Sequence, residues 1–366
     1  MAAFALLAAC SSEPATTTTA PVTSNAPSLP SPSFHYADAE LALPGPFIAP
    51  GPVAGTDNTP ADNSVTDAGA TLGRVLFYDT RLSANDRVSC SSCHLQALGF
   101  SDTAQFSHGF QGGLTSRHSM GLGNARYYGR GKFFWDERAA TLEAQTLTPI
   151  QNSVEMGMTL DALVAKLKLA TFYPALFQAA FGTTDINADR ISRALAQFVR
   201  SMSTYQSKYD RAVATNNFST FTADERLGMQ LFMQTPGNPV PTVGCDRCHT
   251  TTAQVSDNVH NNGLDVVSTD TGAGRGRFKA PSLRNVGLRT GFMHDGRFTT
   301  LRQVVEHYNS GVNASPDLDN RLRNPDGSPR RLTLTPQQVD AIVAFLNTLT
   351  DATFFTDVRF SSPFNH

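Results

Sequence analysis

Cys90-Ser91-Ser92-Cys93-His94 and Cys245-Asp246-Arg247-Cys248-His249 decide how this 366-residue sequence is read. Each is a CxxCH motif, the attachment signature of haem c. Two thiols one turn apart reach the two vinyl groups of one porphyrin, and the adjacent His supplies an imidazole nitrogen to the iron. Cys90, Cys93, Cys245 and Cys248 are therefore candidate attachment points for two covalently bound haem c groups, with His94 and His249 as iron ligands. A disulfide scaffold or a zinc site would also use Cys. Four Cys in a chain this long make a sparse scaffold, and zinc would not give both motifs the same form.

The segments before the two motifs match. Leu72-Gly73 and Leu76-Phe77 precede the first, and Leu227-Gly228 and Leu231-Phe232 precede the second. Each Gly stands 17 residues before its haem Cys. Apolar residues at these offsets describe a helix with one buried face, and a Gly on it lets another backbone approach closely. Two tandem haem domains are the simplest account. The spacing of Ile191, Leu195, Phe198 and Val199 predicts a helix over 187–204 closing the first domain. Thr222 with Glu225 forms a capping box that opens the second. Thr335-Pro336 starts a helix whose apolar face runs through Val339, Ile342, Val343 and Leu346. The expected fold is mostly α, with two class I cytochrome c-like haem domains and long irregular segments. The boundary falls in the polar stretch 209–221, dividing the chain into 67–212 and 213–366.

The fifth Cys, Cys10, ends Leu7-Ala8-Ala9-Cys10 after a short apolar start. This resembles the lipobox of a bacterial lipoprotein signal, although its basic leading part is missing. It predicts export and a lipid anchor in the periplasm, which agrees with haem c attachment outside the cytoplasm. Residues 11–66, rich in Pro, Thr, Ala, Ser and Asn, read as a tether and extended arm, apolar enough around Phe34–Phe47 to lie against the folded body. A net charge of -2 gives no reason to expect a nucleic-acid partner. The chain has 24 Phe but a single Trp, Trp135, which is thereby easy to single out.

Further motifs are collinear with the haem sites. The first half carries Phe133-Phe134-Trp135-Asp136-Glu137-Arg138-Ala139, Leu142-Glu143-Ala144-Gln145, Pro149-Ile150 and Glu155-Met156-Gly157. The second carries Arg284-Asn285-Val286, Met293-His294-Asp295-Gly296-Arg297-Phe298 and Glu306-His307-Tyr308-Asn309. From about Ala70 to Thr350 the chain resembles the bacterial dihaem cytochrome c peroxidase family. That resemblance implies a peroxide-dependent haem oxidoreductase. Its branches differ in the outer ligand of the second haem: Met in ordinary peroxidases, Tyr in the MauG/MbnH-like branch. By alignment the position is Tyr308, so the chain is similar to the MauG/MbnH-like branch. There hydrogen peroxide brings the two haems to a shared high-valent state that oxidises residues, Trp among them, of a periplasmic partner protein. The alternative is an ordinary peroxidase reducing peroxide with electrons from a small cytochrome c or cupredoxin.

On spacing alone Met293, His294, His307 and Tyr308 could each reach the second iron; the family position selects Tyr308. In a helix starting at Thr300, His307 and Tyr308 point about 100° apart, so only one can face the iron. The resemblance places Gln145 and Glu155 on the distal side of the first haem, with Pro149 between them. Glu155, its pKa raised by partial burial, would carry a proton from the inner to the outer peroxide oxygen, and Gln145 would hold water or peroxide. His108 lies near the position of a His that closes the first haem in resting ordinary peroxidases; the MauG/MbnH-like resemblance implies instead an open site, with His108 a loop residue beside it. Trp135 falls at the family position between the haems, as a relay for oxidising equivalents. The family's interhaem calcium maps onto His118, Arg289 and Gly291; backbone oxygens survive such replacements, so the resemblance leaves room for one calcium ion, although an Arg and a His are unfriendly to a hard dication. The surface Trp through which the methylamine enzyme reaches its substrate is Val243 here, so that exit is closed; Tyr205, Tyr209 or a haem edge could replace it.

Overall fold

The computed structural model describes residues 26–37, 41, 43–233, 243–250, 253, 254 and 258–364. The lipobox at Cys10 and the start of the tether lie outside them. Among the described residues, no helix is long and apolar enough to cross a membrane.

Each half is organised by one helix crossing. In the first, α1 (Asp67–Tyr78) begins where the Thr66 side chain accepts the Gly69 N–H, and buries Leu72, Val75 and Leu76. α5 (Ala188–Ser201) is capped by Asn187, which accepts the Arg190 N–H. The two cross at Gly73, where an added Cβ would lie 2.0 Å from the Ala194 carbonyl oxygen. The second half repeats the arrangement with α7 (Ala223–Phe232) and α9 (Pro336–Asn347), each opened by a capping box. A Cβ at Gly228 would lie 1.9 Å from the Ala341 carbonyl oxygen. Only hydrogen fits at either crossing.

α5 also buries polar groups, and they are satisfied. The Gln197 side-chain oxygen accepts both the N–H and the hydroxyl of Thr66 at 3.0 Å, and its amide donates to Asn63 at 2.9 Å. Arg200, almost fully buried, holds Glu143 through both terminal guanidinium nitrogens and so ties α2 (Leu142–Gln151) to α5. A fully paired network of this kind locks the relative placement of the elements it joins. α3 (Leu160–Lys168) and α4 (Tyr173–Phe181) complete the first core.

The stretch 209–221 is no extended linker. It contains α6 (Lys208–Thr215), and Tyr209 and Phe221 are buried in the second core. The nearly fully buried Arg284 grips Asp210 there at 2.7 Å. Among the described residues, strand is confined to one antiparallel pair, β1 (Val259–His260) with β2 (Phe278–Lys279), and 95–140 and 258–300 run irregularly over the cavities described below.

The arm does lie on the body. Tyr36 is 1 % exposed, its N–H bonds Asp67 and its hydroxyl donates to the Arg359 carbonyl. Phe47 packs edge-on to Tyr127, 5.0 Å between centroids. One placement differs from expectation: the C-terminal Phe354, Phe360 and Phe364, assigned to the second domain, belong to the first core. No periodic pattern marks this tail, and its three Phe answer apolar surface left beside Phe77, Phe100 and Phe198.

Gly228→Ala is expected to force the α7–α9 crossing apart and destabilise the second half by about 3 kcal/mol. Denaturant unfolding of the haem-loaded protein should show a lowered midpoint, with limited proteolysis near it cutting the second half first while both haems stay covalently attached.

Candidate active site

Both CxxCH segments fold as one tight turn. The N–H groups of Cys93 and His94 converge on the Cys90 carbonyl at 3.2 and 3.0 Å; those of Cys248 and His249 converge on Cys245 at 3.1 and 3.0 Å. Ser89 and Ser92 cap the first turn reciprocally, and Gly244, at φ +71, admits the chain to the second. Each turn thereby presents two thiols and an imidazole to a cavity. Cys90, Cys93 and His94 line a pocket of about 80 Å³ that adjoins a larger one of about 450 Å³, also walled by His94. Cys245, Cys248 and His249 line a cavity of about 210 Å³ walled by Phe232, Phe292, Leu301 and Leu346.

The donor chemistry fits haem c. The four thiols are not joined as disulfides, and among the described residues no cluster of His, Cys, Asp or Glu could hold a zinc ion. Burial pushes Cys90 and Cys245 up to about 12. His94 Nδ1 lies 2.8 Å from the Phe100 carbonyl oxygen, which requires the proton on Nδ1 and turns the lone pair of Nε2 to the cavity. Burial lowers His249 to about 4, so it stays a neutral donor.

The second cavity is capped by a phenol. α8 (Leu301–Glu306) starts at a Thr300 capping box and passes into a π-helical turn, His307–Gly311. That turn brings Tyr308 into the cavity wall while His307 points away, its Nε2 3.0 Å from the Asn262 carbonyl. Burial raises the Tyr308 hydroxyl to about 12. The Asn262 amide reaches both Tyr308 Oη and Met293 Sδ at 3.4 Å, so Met293 shares this corner. His294 lines the same cavity but stacks on Phe278 with centroids 3.6 Å apart.

The first cavity repeats this frame with different side chains. The bridge Phe133↔Ala139 matches Phe292↔Phe298. Phe134 and Met293, at φ +69 and +70, turn the chain alike. Thr141 caps α2 as Thr300 caps α8. Counted from these caps, Pro149 stands where Tyr308 stands, and Trp135 stands where His294 stands. A pyrrolidine ring has no lone pair to give a metal. The parallel was legible in Trp135-Asp136-Glu137-Arg138 and His294-Asp295-Gly296-Arg297, each followed after two further residues by Thr-Leu, although the two stretches were read separately in the sequence. Asn262 carried no such signal.

Gln145, Pro149 and Glu155 line both pockets beside His94. Glu155 is held by its backbone: Asn152 Oδ1 accepts its N–H at 3.1 Å, and its carbonyl accepts the Phe110 N–H at 3.0 Å. Burial raises its carboxyl above the usual range, with Arg138 opposing. His108 is exposed at the rim of the smaller pocket, in a turn bridged to Leu114. Trp135 is 9 % exposed and lines both large cavities, its indole N–H donating to the His118 carbonyl at 2.7 Å. Tyr205 and Tyr209 lie away from this wall, the first against Phe47 and the second in the second core. At the positions expected for calcium, the His118 imidazole packs on Gly291, and the Arg289 guanidinium is buried alongside. The side chains at these positions, an imidazole and a guanidinium, offer no oxygen to a hard dication.

The sequence profile of the family described as di-haem cytochrome c peroxidase matches residues 67–217 and 222–325. The chain belongs to the dihaem cytochrome c peroxidase family. It falls in the family's MauG-like branch. It is 34% identical over 301 residues to the methylamine utilization protein MauG of Methylorubrum extorquens, covering 79% of this chain and 80% of that one. It is 30% identical over 329 residues to the cytochrome c551 peroxidase of Nitrosomonas europaea, covering 85% and 89%. A crystal structure of a MauG-like protein associated with microbial copper homeostasis superposes with a TM-score of 0.76 at 29% identity, covering 88% of this chain and 98% of that one. This dihaem peroxidase is thus a peroxide-dependent haem enzyme with a mostly helical, cytochrome c-like fold.

A carboxylate must be ionised to accept the peroxide proton. Because the Glu155 pKa is raised, the rate of reaction with peroxide should fall as pH drops through a value above the ordinary Glu range. Glu155→Gln should remove that acidic limb and slow the reaction about 10²- to 10⁴-fold, as read by stopped-flow absorbance across pH.

Proposed function

We propose that this member of the family works in the MauG manner, outside the cytoplasm: hydrogen peroxide oxidises it by two equivalents, and these are passed to side chains of a periplasmic protein partner. Tryptophan is the expected target, since indole is among the side chains most readily oxidised. The observation that carries the reading is the unlike pair at one repeated position, Tyr308 over the second cavity and Pro149 over the first. Two haem c groups held by Cys90, Cys93 and His94, and by Cys245, Cys248 and His249, would supply peroxide reactivity and storage of oxidising equivalents.

The chain's own residues divide the remaining work. Pro149 offers no internal ligand and keeps the first site open to peroxide. Gln145 positions it, and Glu155 takes the proton from its inner oxygen and returns it to the outer one. Tyr308 closes the second site, and a phenolate favours ferric and higher states. Trp135, in the wall common to both cavities, divides one long electron transfer into two short ones. Export and anchoring through Cys10 agree with this placement. The ordinary peroxidase reading, with a small cytochrome c or cupredoxin as donor, draws on Met293 sharing the Asn262 corner and on His108 at the rim of the first site.

Adding one equivalent of peroxide to the all-ferric protein, with no reductant, should bleach both haem Soret bands together. In Trp135→Phe both haems should remain attached while the coupled response is lost. A wild-type protein that reacts only after half-reduction would support the donor-dependent reading.

A further inference from the structure

The partition between the two cavities contains a buried cation without a protein counter-ion. Arg289 reaches into it from the single 3-10 turn Val286–Leu288, and its guanidinium lies against Gly121, where a Cβ would be 2.8 Å from Nη2. Gly121 lines both cavities, while Arg289 itself lines the second. Nη2 donates to the carbonyls of Ser282 at 2.9 Å and Arg284 at 3.3 Å. Nε is buried and makes no hydrogen bond, and among the described residues no carboxylate pairs with the guanidinium. His118 fills the space beside it. Its Nε2 is 3.1 Å from Ser101 Oγ, its Nδ1 is 3.1 Å from the carbonyls of Ala104 and Gln105, and its own carbonyl already accepts the Trp135 N–H.

We propose that Arg289 is the permanent positive charge between the haems, occupying by side chain the place where a calcium ion would otherwise stand, and that its unpaired Nε–H edge serves a haem propionate. Calcium requires several oxygen ligands and an anionic or carbonyl-rich cage. Here two backbone carbonyls are taken by the guanidinium, another by Trp135, and both His118 nitrogens have partners. A buried charge lacking a partner costs several kcal/mol. Arginine is the cation suited to a planar carboxylate, which it can bind through two parallel N–H groups. The carboxylates that haem brings are the anions this edge lacks. Consistent with that, burial lowers Arg289 to about 10, with Tyr128 opposing. Lys279, the other buried cation of the partition, sits 3.3 Å from the Tyr128 ring centroid and is lowered by burial to about 7. Arg289 is therefore the charge that persists across the physiological range.

The test uses the haem-loaded full chain. After exchange through calcium-containing buffer and gel filtration, elemental analysis should find no stoichiometric calcium, and EGTA should leave the visible spectrum and both reduction potentials unchanged. Arg289→Gln should shift the potential of at least one haem downward, because a positive charge beside it is lost, and Arg289→Lys should recover most of that shift. One calcium per chain, a chelator-induced spectral change, or unaltered potentials in a haem-replete Arg289→Gln protein would each overturn the assignment. Should Arg289→Gln fail to retain haem, the wild-type calcium and chelator measurements still decide.

Discussion

Two helix backbones touching without side chains between them is the contact on which each half of this protein depends. At Gly73 and again at Gly228, a carbonyl of the crossing helix occupies the space of a Cβ. That close approach fixes the angle between α1 and α5, and between α7 and α9. It leaves a sheltered apolar edge against which each CxxCH turn can close its cavity. The cofactor chemistry is thus an outcome of steric exclusion at two hydrogen atoms, reinforced in the first half by the Gln197 and Arg200 networks.

A repeated frame makes departures from symmetry informative. The same bridge, the same left-handed residue and the same Thr cap lead to Pro149 in one half and Tyr308 in the other. Backbone geometry is shared, so the difference in side-chain chemistry is what distinguishes a site open to peroxide from one closed by a phenol. Trp135 and Arg289 occupy the wall between them, one polarisable and oxidisable, the other a fixed charge. A cation in a low-dielectric partition acts on both sites at once, because little water screens it.

Much of this was legible in the sequence wherever a local rule applied. Capping residues Thr222 and Thr335, and the apolar spacing from Ile191 to Val199, predicted helices that the structure contains, and the two Gly residues predicted close crossings. The thiol spacing indicated where haem would attach. Features that depend on distant packing were not legible. The return of Phe354, Phe360 and Phe364 to the first core follows no periodicity, and the π turn that aims Tyr308 leaves no compositional mark. Arg289 stood out in the sequence only as a misfit at the family's calcium position; arginine is seldom fully buried, and only the surrounding fold shows it enclosed. The family resemblance located Gln145, Glu155 and Trp135, and the coordinates add that Trp135 belongs to both cavity walls.

The two haem sites are chemically unlike at their outer faces. Low-temperature EPR of the resting, all-ferric protein tests this most directly. Proline over the first site and tyrosine over the second predict one high-spin and one low-spin ferric signal of equal spin count, with the low-spin signal lost or shifted in Tyr308→Phe. Two low-spin signals, unchanged in that variant, would contradict it.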